Sequence, residues 1–439
     1  MTKGKISILG AGLVGSLLSI LLKKRGYDVT LFERRSDLRK AGGIGGRSIN
    51  LALSHRGLKA LDLAGIKETI QESCIPMPGR MIHDLEGNLD FQPYGKEGQF
   101  INSVSRGGLN ELLMNEAEKL GVTIEFDHRC VDVDFANATA SFDNGAAVSA
   151  DFLIGADGAF SALRSAMQKT DRFNYAQQYI SAGYKELTMP PNADGDFALD
   201  PGALHIWPRG EYMLIALPNL DKSFTCTLFF PFEGPISFEQ LKTETDVTEF
   251  FNEKFADAVP HLPHLEKEFF ENPTSSLITV RCSPWVKGNT ALIGDAAHAI
   301  VPFYGQGMNS GFEDCYVFDQ LLEKHGDINA AMLEEYEALR IPDGNAIADL
   351  ALYNFIEMRD KVADEKFILQ KKIEKRLNQQ FPDQWTPLYS MVTFSDFRYS
   401  EAWALGQKQQ AIMDEVLQQE GIEANWEELD LEAIVGRLG

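Results

Sequence analysis

The chain has 439 residues, 44% of them hydrophobic and 24% charged, an ordinary globular composition that excludes wholesale disorder. Lys and Arg number 41 against 64 Asp and Glu, so the net charge of −23 argues against a nucleic-acid backbone as partner. The five cysteines (Cys74, Cys130, Cys226, Cys282 and Cys315) are scattered and form no CxxC pair, which points to a reducing compartment rather than a disulfide framework or a structural zinc site.

In chain order, Lys5 to Leu9 (KISIL) reads as a short buried strand. Leu13 to Lys24 carries a helical pattern ended by Gly26, and Asp28 to Phe32 (DVTLF) is a second strand, so the chain begins as the βαβ unit of a doubly wound sheet. The opening apolar run passes into a glycine turn and then Lys-Lys-Arg, with no small-residue cleavage site. It is therefore expected to be structural rather than a secretory signal, and the protein cytoplasmic. Gly79 to Tyr94 reads as a hairpin turning at Glu86-Gly87-Asn88, Gly108 to Leu120 as a helix, and Asp151 to Ile154 (DFLI) as a buried strand.

From about Arg172 to Arg281 the texture changes. Alternating stretches (YISAGYKEL, ALHIWP, YMLIALP, SFTCTLFFPF) punctuated by Pro and Gly predict an inserted antiparallel sheet. Thr290 to Ile293 (TALI) returns to a buried strand before a glycine-rich turn and a helix, and from about Ala330 to Gly439 the pattern is mostly helical. No stretch reaches the roughly 18 uninterrupted apolar residues of a membrane-spanning helix.

Three glycine-containing turns carry the chemistry. In Gly10-Ala11-Gly12-Leu13-Val14-Gly15 the first two glycines permit a tight turn and close backbone approach to a pyrophosphate, and Gly15 permits close helix–strand packing. Glu33 ends the second strand about 20 residues on, where an acid accepts from a ribose. A lone GxGxxG is weak; following a strand, opening a helix and followed by its acid, it predicts a dinucleotide site. The second turn, Gly155-Ala156-Asp157-Gly158-Ala159-Phe160-Ser161-Ala162-Leu163-Arg164, follows DFLI. The third, Gly294-Asp295-Ala296-Ala297-His298, follows TALI and continues through Pro302 to Gly305-Gln306-Gly307-Met308-Asn309-Ser310-Gly311. An Asp at a strand end beside a helix N-terminus suits ribitol hydroxyls, although each turn alone could be a simple Asp cap. His298 looks available for proton transfer, but its position inside the third turn assigns it to support of that loop.

Together the three turns resemble the fingerprints of the FAD-dependent aromatic hydroxylases, over about residues 1 to 330. A narrower resemblance, to the kynurenine-hydroxylating branch of that family, rests on Gly46-Arg47-Ser48-Ile49-Asn50-Leu51-Ala52-Leu53-Ser54-His55-Arg56-Gly57, Gly79-Arg80-Met81-Ile82-His83 and Pro302-Phe303-Tyr304-Gly305-Gln306-Gly307. Tyr353 to Asp360 (YNFIEMRD) and Pro387 to Phe394 (PLYSMVTF) extend it to about residue 400. Tyr304 departs from several members. The hydrophobic anchoring tail of eukaryotic members has no counterpart, so the soluble bacterial type is expected.

The resemblance implies an α/β fold: a Rossmann-like FAD-binding domain (1–75, 105–171 and 281–330), an inserted antiparallel-sheet substrate domain (76–104 and 172–280) and a C-terminal helical region (331–439) covering the substrate pocket. It implies FAD held without a covalent link, NADPH as a transiently docking cosubstrate, and O₂ and L-kynurenine as substrates in tryptophan degradation. Carried over by position, FAD contacts fall at Gly10, Gly12, Gly15, Glu33, Arg34, Ala52, Arg106, Asp157, Asp295, Gly307, Met308 and Asn309. Substrate contacts fall at Arg80, Tyr94, Asn354 and Tyr389, with Phe303 and Met358 lining the pocket.

The chemistry agrees: Arg80 offers a planar fork to the α-carboxylate, with the Tyr94 and Tyr389 hydroxyls as further donors. Seen singly, Arg80 would be a surface arginine on a hairpin, the two tyrosines half-buried packing and Asn354 a helix-face amide. The arylamine already donates electrons to the ring carbon ortho to it, so no base is required to ionise a phenol and no side chain is assigned as catalytic acid or base. His261 and His264 form an HxxH without a third ligand, and Lys371 to Arg376 reads as a solvated helix face. A hydroxylase of another aromatic acid and a non-catalytic flavin-binding interaction protein stay open as alternatives, as does a homodimer.

Overall fold

The computed structural model describes residues 2–40, 50–358 and 365–438. Gly46 to Ile49 and Arg359-Asp360, parts of two motifs above, lie outside the described residues.

The opening unit forms as the pattern dictates: strand Lys5–Leu9, helix Leu13–Lys24, strand Asp28–Phe32. The helix buries Leu17, Leu18, Ile20, Leu21 and Leu22 against the sheet, the apolar face that its 3.6-residue period creates. A Cβ at Gly15 would stand 2.0 Å from the Gly10 carbonyl oxygen, so only glycine lets this helix start so near the strand end. The sheet has six strands in the order Val286–Lys287, Thr290–Leu292, Phe152–Gly155, Lys5–Leu9, Asp28–Phe32, Thr123–Glu125. Only the Val286–Lys287 edge is antiparallel. Because the central strands run together, their carboxyl ends gather the turns after Leu9, Gly155 and Leu292 on one rim, where ligands of doubly wound sheets bind.

The second sheet has seven strands, in the order Ser275–Ser283, Asn174–Met189, Phe224–Pro231, Met213–Pro218, Ala203–Pro208, Gly79–His83, Leu89–Pro93. The hairpin predicted at 79–94 is its outer edge, paired from Gly79 opposite Pro93 to His83 opposite Leu89. One expectation is corrected: the sheet is not wholly antiparallel. Gly79–His83 pairs parallel with Ala203–Pro208, because the hairpin arrives from a distant part of the chain and enters without a tight turn to set its direction.

Three further features escaped the sequence reading. Helices Glu244–Lys254 and Leu265–Glu271 pack Val247, Phe251, Leu265 and Phe269 under this sheet against Trp207, Phe224 and Phe230. A meander of Cys130–Asp134, Thr139–Phe142 and Ala147–Ser149 forms its own sheet, and so do Asn50–Leu53, Ile101–Ser105 and Ile75–Met77. The C-terminal region is helical as expected, with Ala330–Ile356, Glu365–Gln380 and Tyr399–Val416 as its long members. No described helix is long and apolar enough to cross a membrane.

Candidate cofactor and substrate cavity

A single cavity of about 910 Å³ runs between the two sheets, at the upper end of the range for ligand sites. The rim of the parallel sheet builds one end. Gly10, at φ +100°, donates its N–H to the Phe32 carbonyl at 2.8 Å. Ala11 donates its N–H to Glu33 Oε2 at 3.1 Å, while Glu33 Oε1 accepts from the Arg35 backbone at 3.1 Å and from its Nε at 2.8 Å. Glu33 is thus buried and fixed at the predicted place, with Arg34 beside it on the wall.

Whether the cradle suits a dinucleotide can be tested on the backbone. A Cβ at Gly12 or Gly158 would meet nothing within 4 Å, so the chain leaves open space where other residues would fill it. Gly12 begins a long helix with no side-chain cap and no acid in its first turn, leaving N–H donors turned to the cavity. Asp157 Oδ2 accepts from the Ala162 backbone at 2.6 Å, whereas its Oδ1 is buried without a partner among the described residues. Burial raises the pKa of this carboxyl. An acceptor so placed suits a hydroxyl-bearing ligand, and the residues present fit FAD.

The third turn completes this end. Gly294, at φ +60°, donates its N–H to Asp314 Oδ2 at 3.0 Å, which leaves Asp295 at the cavity wall. His298 is buried, lies 2.5 Å from the same carboxylate and stacks on Trp285 at 5.1 Å, so it props the loop from behind. Gly307 and Met308 begin helix Gly307–His325 at the wall, and Arg106, which begins helix Arg106–Lys119, lines it too.

Two predicted contacts occupy different positions from the rest. Gly15 lies behind the cradle as a packing residue. Asn309 spends its amide on protein: Oδ1 accepts from the Ser54 backbone at 2.9 Å, and Nδ2 donates to the Ala52 and Gly305 carbonyls, each at 2.8 Å. It ties the Asn50–Leu53 strand, whose Ala52 lines the cavity, to the turn before helix Gly307–His325. Gly57 makes room for that amide, since a Cβ there would lie 2.6 Å from Asn309 Oδ1.

The other end is assembled from four distant segments. Arg80 comes from the hairpin, Tyr94 from its end, Phe303 and Tyr304 from the turn after the third fingerprint, and Asn354, Met358 and Tyr389 from the C-terminal region. Tyr94 and Tyr389 stack at 5.3 Å, Tyr304 and Tyr389 at 5.5 Å. The Arg80 guanidinium lies 5.0 Å from the Tyr389 ring and 5.3 Å from that of Tyr94. No ion pair to Arg80 forms among the described residues. The Tyr94 hydroxyl is buried beside Arg80 and Tyr389 with no hydrogen bond of good geometry among the described residues, and burial pushes the Tyr94 and Tyr304 phenols well above their usual range, so both remain protonated donors. A half-buried cation beside neutral hydroxyl donors is a receptor for a carboxylate.

Below this head the wall is apolar: Phe303 stacks on Phe355 at 4.1 Å and meets Phe229 at 4.8 Å, with Met213 and Met358 alongside. Asn354 donates Nδ2 to the Phe303 carbonyl at 2.7 Å, so it holds the aromatic turn as well as lining the cavity. Sequence reasoning missed Phe229, Met213, Ile215 and Leu204 on this wall. Their alternation was visible, but which face looked inward depended on a register that no local signal set. His261 and His264 belong to no group of three metal-ligating side chains among the described residues.

The family model described as an FAD binding domain matches residues 3–351. The chain is 51% identical to a kynurenine 3-monooxygenase of Flavobacterium johnsoniae over 98% of both chains. It is 45% identical to one of Sus scrofa, over 94% of this chain and 88% of that one. Among solved structures, a tetrameric 2-methyl-3-hydroxypyridine-5-carboxylic acid oxygenase superposes with a TM-score of 0.69 at 22% identity, covering 83% of this chain and 95% of that one. PqsL of Pseudomonas aeruginosa does so at 0.66 and 19% identity, over 81% and 97%. These two share the fold.

Proposed function

Since the chain belongs to the kynurenine 3-monooxygenases, a family of FAD-dependent enzymes, we propose that this cavity is where it hydroxylates L-kynurenine to 3-hydroxykynurenine with NADPH and O₂. The observation that carries the assignment of the site is the Arg80 guanidinium set between tyrosine rings, without a carboxylate partner among the described residues, in a cavity continuous with the dinucleotide cradle.

In this reading Gly10, Gly12, Glu33, Arg34, Ala52, Arg106, Asp157, Asp295, Gly307 and Met308 hold FAD, with Gly15 and Asn309 shaping the cradle from behind. The segments 1–75, 105–171 and 281–330 form the FAD-binding domain, 76–104 and 172–280 the substrate domain, and 331–439 the cover. FAD held there would supply the redox and oxygen-activating chemistry, with NADPH as the source of electrons. The chain supplies placement. Arg80 grips the α-carboxylate, and the Tyr94 and Tyr389 hydroxyls donate to it. Phe303, Met358 and Phe229 hold the arene towards the cofactor end, and the apolar wall keeps water out. No proton need be taken from the substrate before attack, since its own amine activates the ortho carbon, and no side chain is given that task.

The test is NADPH oxidation with and without L-kynurenine, with the product identified by chromatography. Stimulation with formation of 3-hydroxykynurenine is expected. NADPH oxidation indifferent to kynurenine, with no hydroxylated product, would overturn the reading.

A further inference from the structure

We propose that Arg56 is a positioning residue for kynurenine: it fastens the helix carrying Tyr389 to the cofactor side of the cavity. The inference rests on the reading above, in which Tyr389 contacts substrate.

Tyr389 sits on helix Leu388–Thr393, six residues long. A helix so short has no stability of its own, so its place is set by what holds it. One hold is packing: Leu388 lies against Gly406 of helix Tyr399–Val416, where a Cβ would come within 2.7 Å of Leu388 Cδ1. The other is Arg56, which is 3% exposed, in helix His55–Leu63 directly after the strand that brings Ala52 to the cavity. Its Nε donates to the Val392 carbonyl at 3.0 Å, and its Nη2 to the Met391 carbonyl at 3.4 Å and to the Phe397 carbonyl. The Val392 and Met391 carbonyls are among those this helix leaves without an intrahelical partner at its C-terminal end, where a cation is favoured, and Phe397 lies in the loop just beyond it.

The remaining contacts face the cofactor. Arg56 Nη1 pairs with Glu313 of helix Gly307–His325. The guanidinium lies 4.0 Å from the Tyr399 ring, and the Tyr399 hydroxyl donates to Gln306 Oε1 at 2.9 Å. Gln306 immediately precedes the flavin-side helix, and its Nε2 reaches Ser54 Oγ at 3.4 Å. One buried guanidinium therefore joins the Tyr389 helix to both elements of the cofactor wall. A planar fork with five donors serves three carbonyls and a carboxylate at once, which a lysine ammonium does not. If the fork is lost, Tyr389 is no longer held at its spacing from Arg80, Tyr94 and Tyr304.

The test is a double-mutant cycle on the FAD-loaded enzyme. Kynurenine Kd is measured by calorimetry, and KM and kcat by turnover, for Arg56→Met, Arg56→Lys, Tyr389→Phe and the two combinations. Arg56→Met is expected to weaken kynurenine about tenfold, with KM rising alongside Kd and kcat changing less. Arg56→Lys should fall between it and the unsubstituted enzyme. Adding Tyr389→Phe to Arg56→Met should cost almost nothing further, since the displaced hydroxyl no longer reaches the substrate.

If Arg56 served stability alone, the variants would melt earlier but bind kynurenine normally, or the two substitutions would multiply; either result overturns the proposal. Should Arg56→Met lose its flavin, the cycle on Arg56→Lys decides by the same criterion. Failure of the parent reading would look different: the unsubstituted enzyme would itself neither bind nor hydroxylate kynurenine, and the proposal would fall with it.

Discussion

The two ends of the cavity are built on opposite plans. The cofactor end is built chiefly on turns that each follow a strand of one largely parallel sheet, so each of these turns sits within a few residues of the element that places it. The substrate end has no such scaffold: Arg80, Tyr304 and Tyr389 meet from widely separated segments, on a sheet edge, a turn and a short helix. Geometry fixed by a local turn survives distant changes, whereas geometry fixed by docking is as good as its anchors.

Substitutions can break this contrast. The largest effect should come from Gly15→Val, whose side chain has nowhere to go beside the Gly10 carbonyl. It should yield protein without visible flavin absorbance even at excess FAD, with the far-ultraviolet circular dichroism checked alongside; normal flavin content would show the close packing to be dispensable. Next comes Arg80→Met, expected to raise kynurenine Kd by about ten- to a hundredfold through loss of a charge-assisted pair worth about 1.5–3 kcal/mol, while flavin content holds. Equal losses of flavin and kynurenine would mean that the two ends are not separable. Tyr304→Phe should be milder, no more than about fivefold in KM, since one hydroxyl beside an intact Arg80 is removed.

The smallest effect concerns the underside of the substrate sheet. His83 lies 2.6 Å from Asp257 and 2.8 Å from His205, whose Nε2 is 2.8 Å from the Asp200 carbonyl. Burial pushes the His205 imidazole down from its ordinary 6.5 to about 4. The folded state therefore resists a proton that the unfolded chain accepts, so this residue costs stability progressively as pH falls from about 6.5 towards 4. Replacing His205 with Gln should flatten the melting temperature across that window and leave flavin content unchanged. An unaltered pH slope would sink the assignment.

The same contrast explains what could be read in the amino-acid sequence. Lys5–Leu9, Leu13–Lys24 and Asp28–Phe32 carry the bounds expected of them, because periodicity, glycine turn and strand length act within a few residues. The parallel pairing of Gly79–His83 with Ala203–Pro208 left no such mark, because a partner a hundred residues away is chosen by burial, not by a turn. Helix Glu244–Lys254 did leave one, the Thr243 and Asp246 capping box, and it went unread amid the alternating strands around it. For Arg80 and Tyr389 only the motifs around them pointed to a site; nothing in either segment says that they meet. Arg56 stood inside such a motif without any sign of its task, since its partners are backbone carbonyls, which every residue has.

The Arg56 to Val392 bond spans 336 residues of sequence. While the chain is being made, strand Thr290–Leu292 and the flavin-side helix have emerged long before the segment with Tyr389. The residues that build the cofactor end therefore precede, in the chain, the segment that carries Tyr389. A chain released early, short of Val392, would carry the cofactor cradle's residues without the clamp that orders the far end, and so could be yellow without being able to recognise kynurenine.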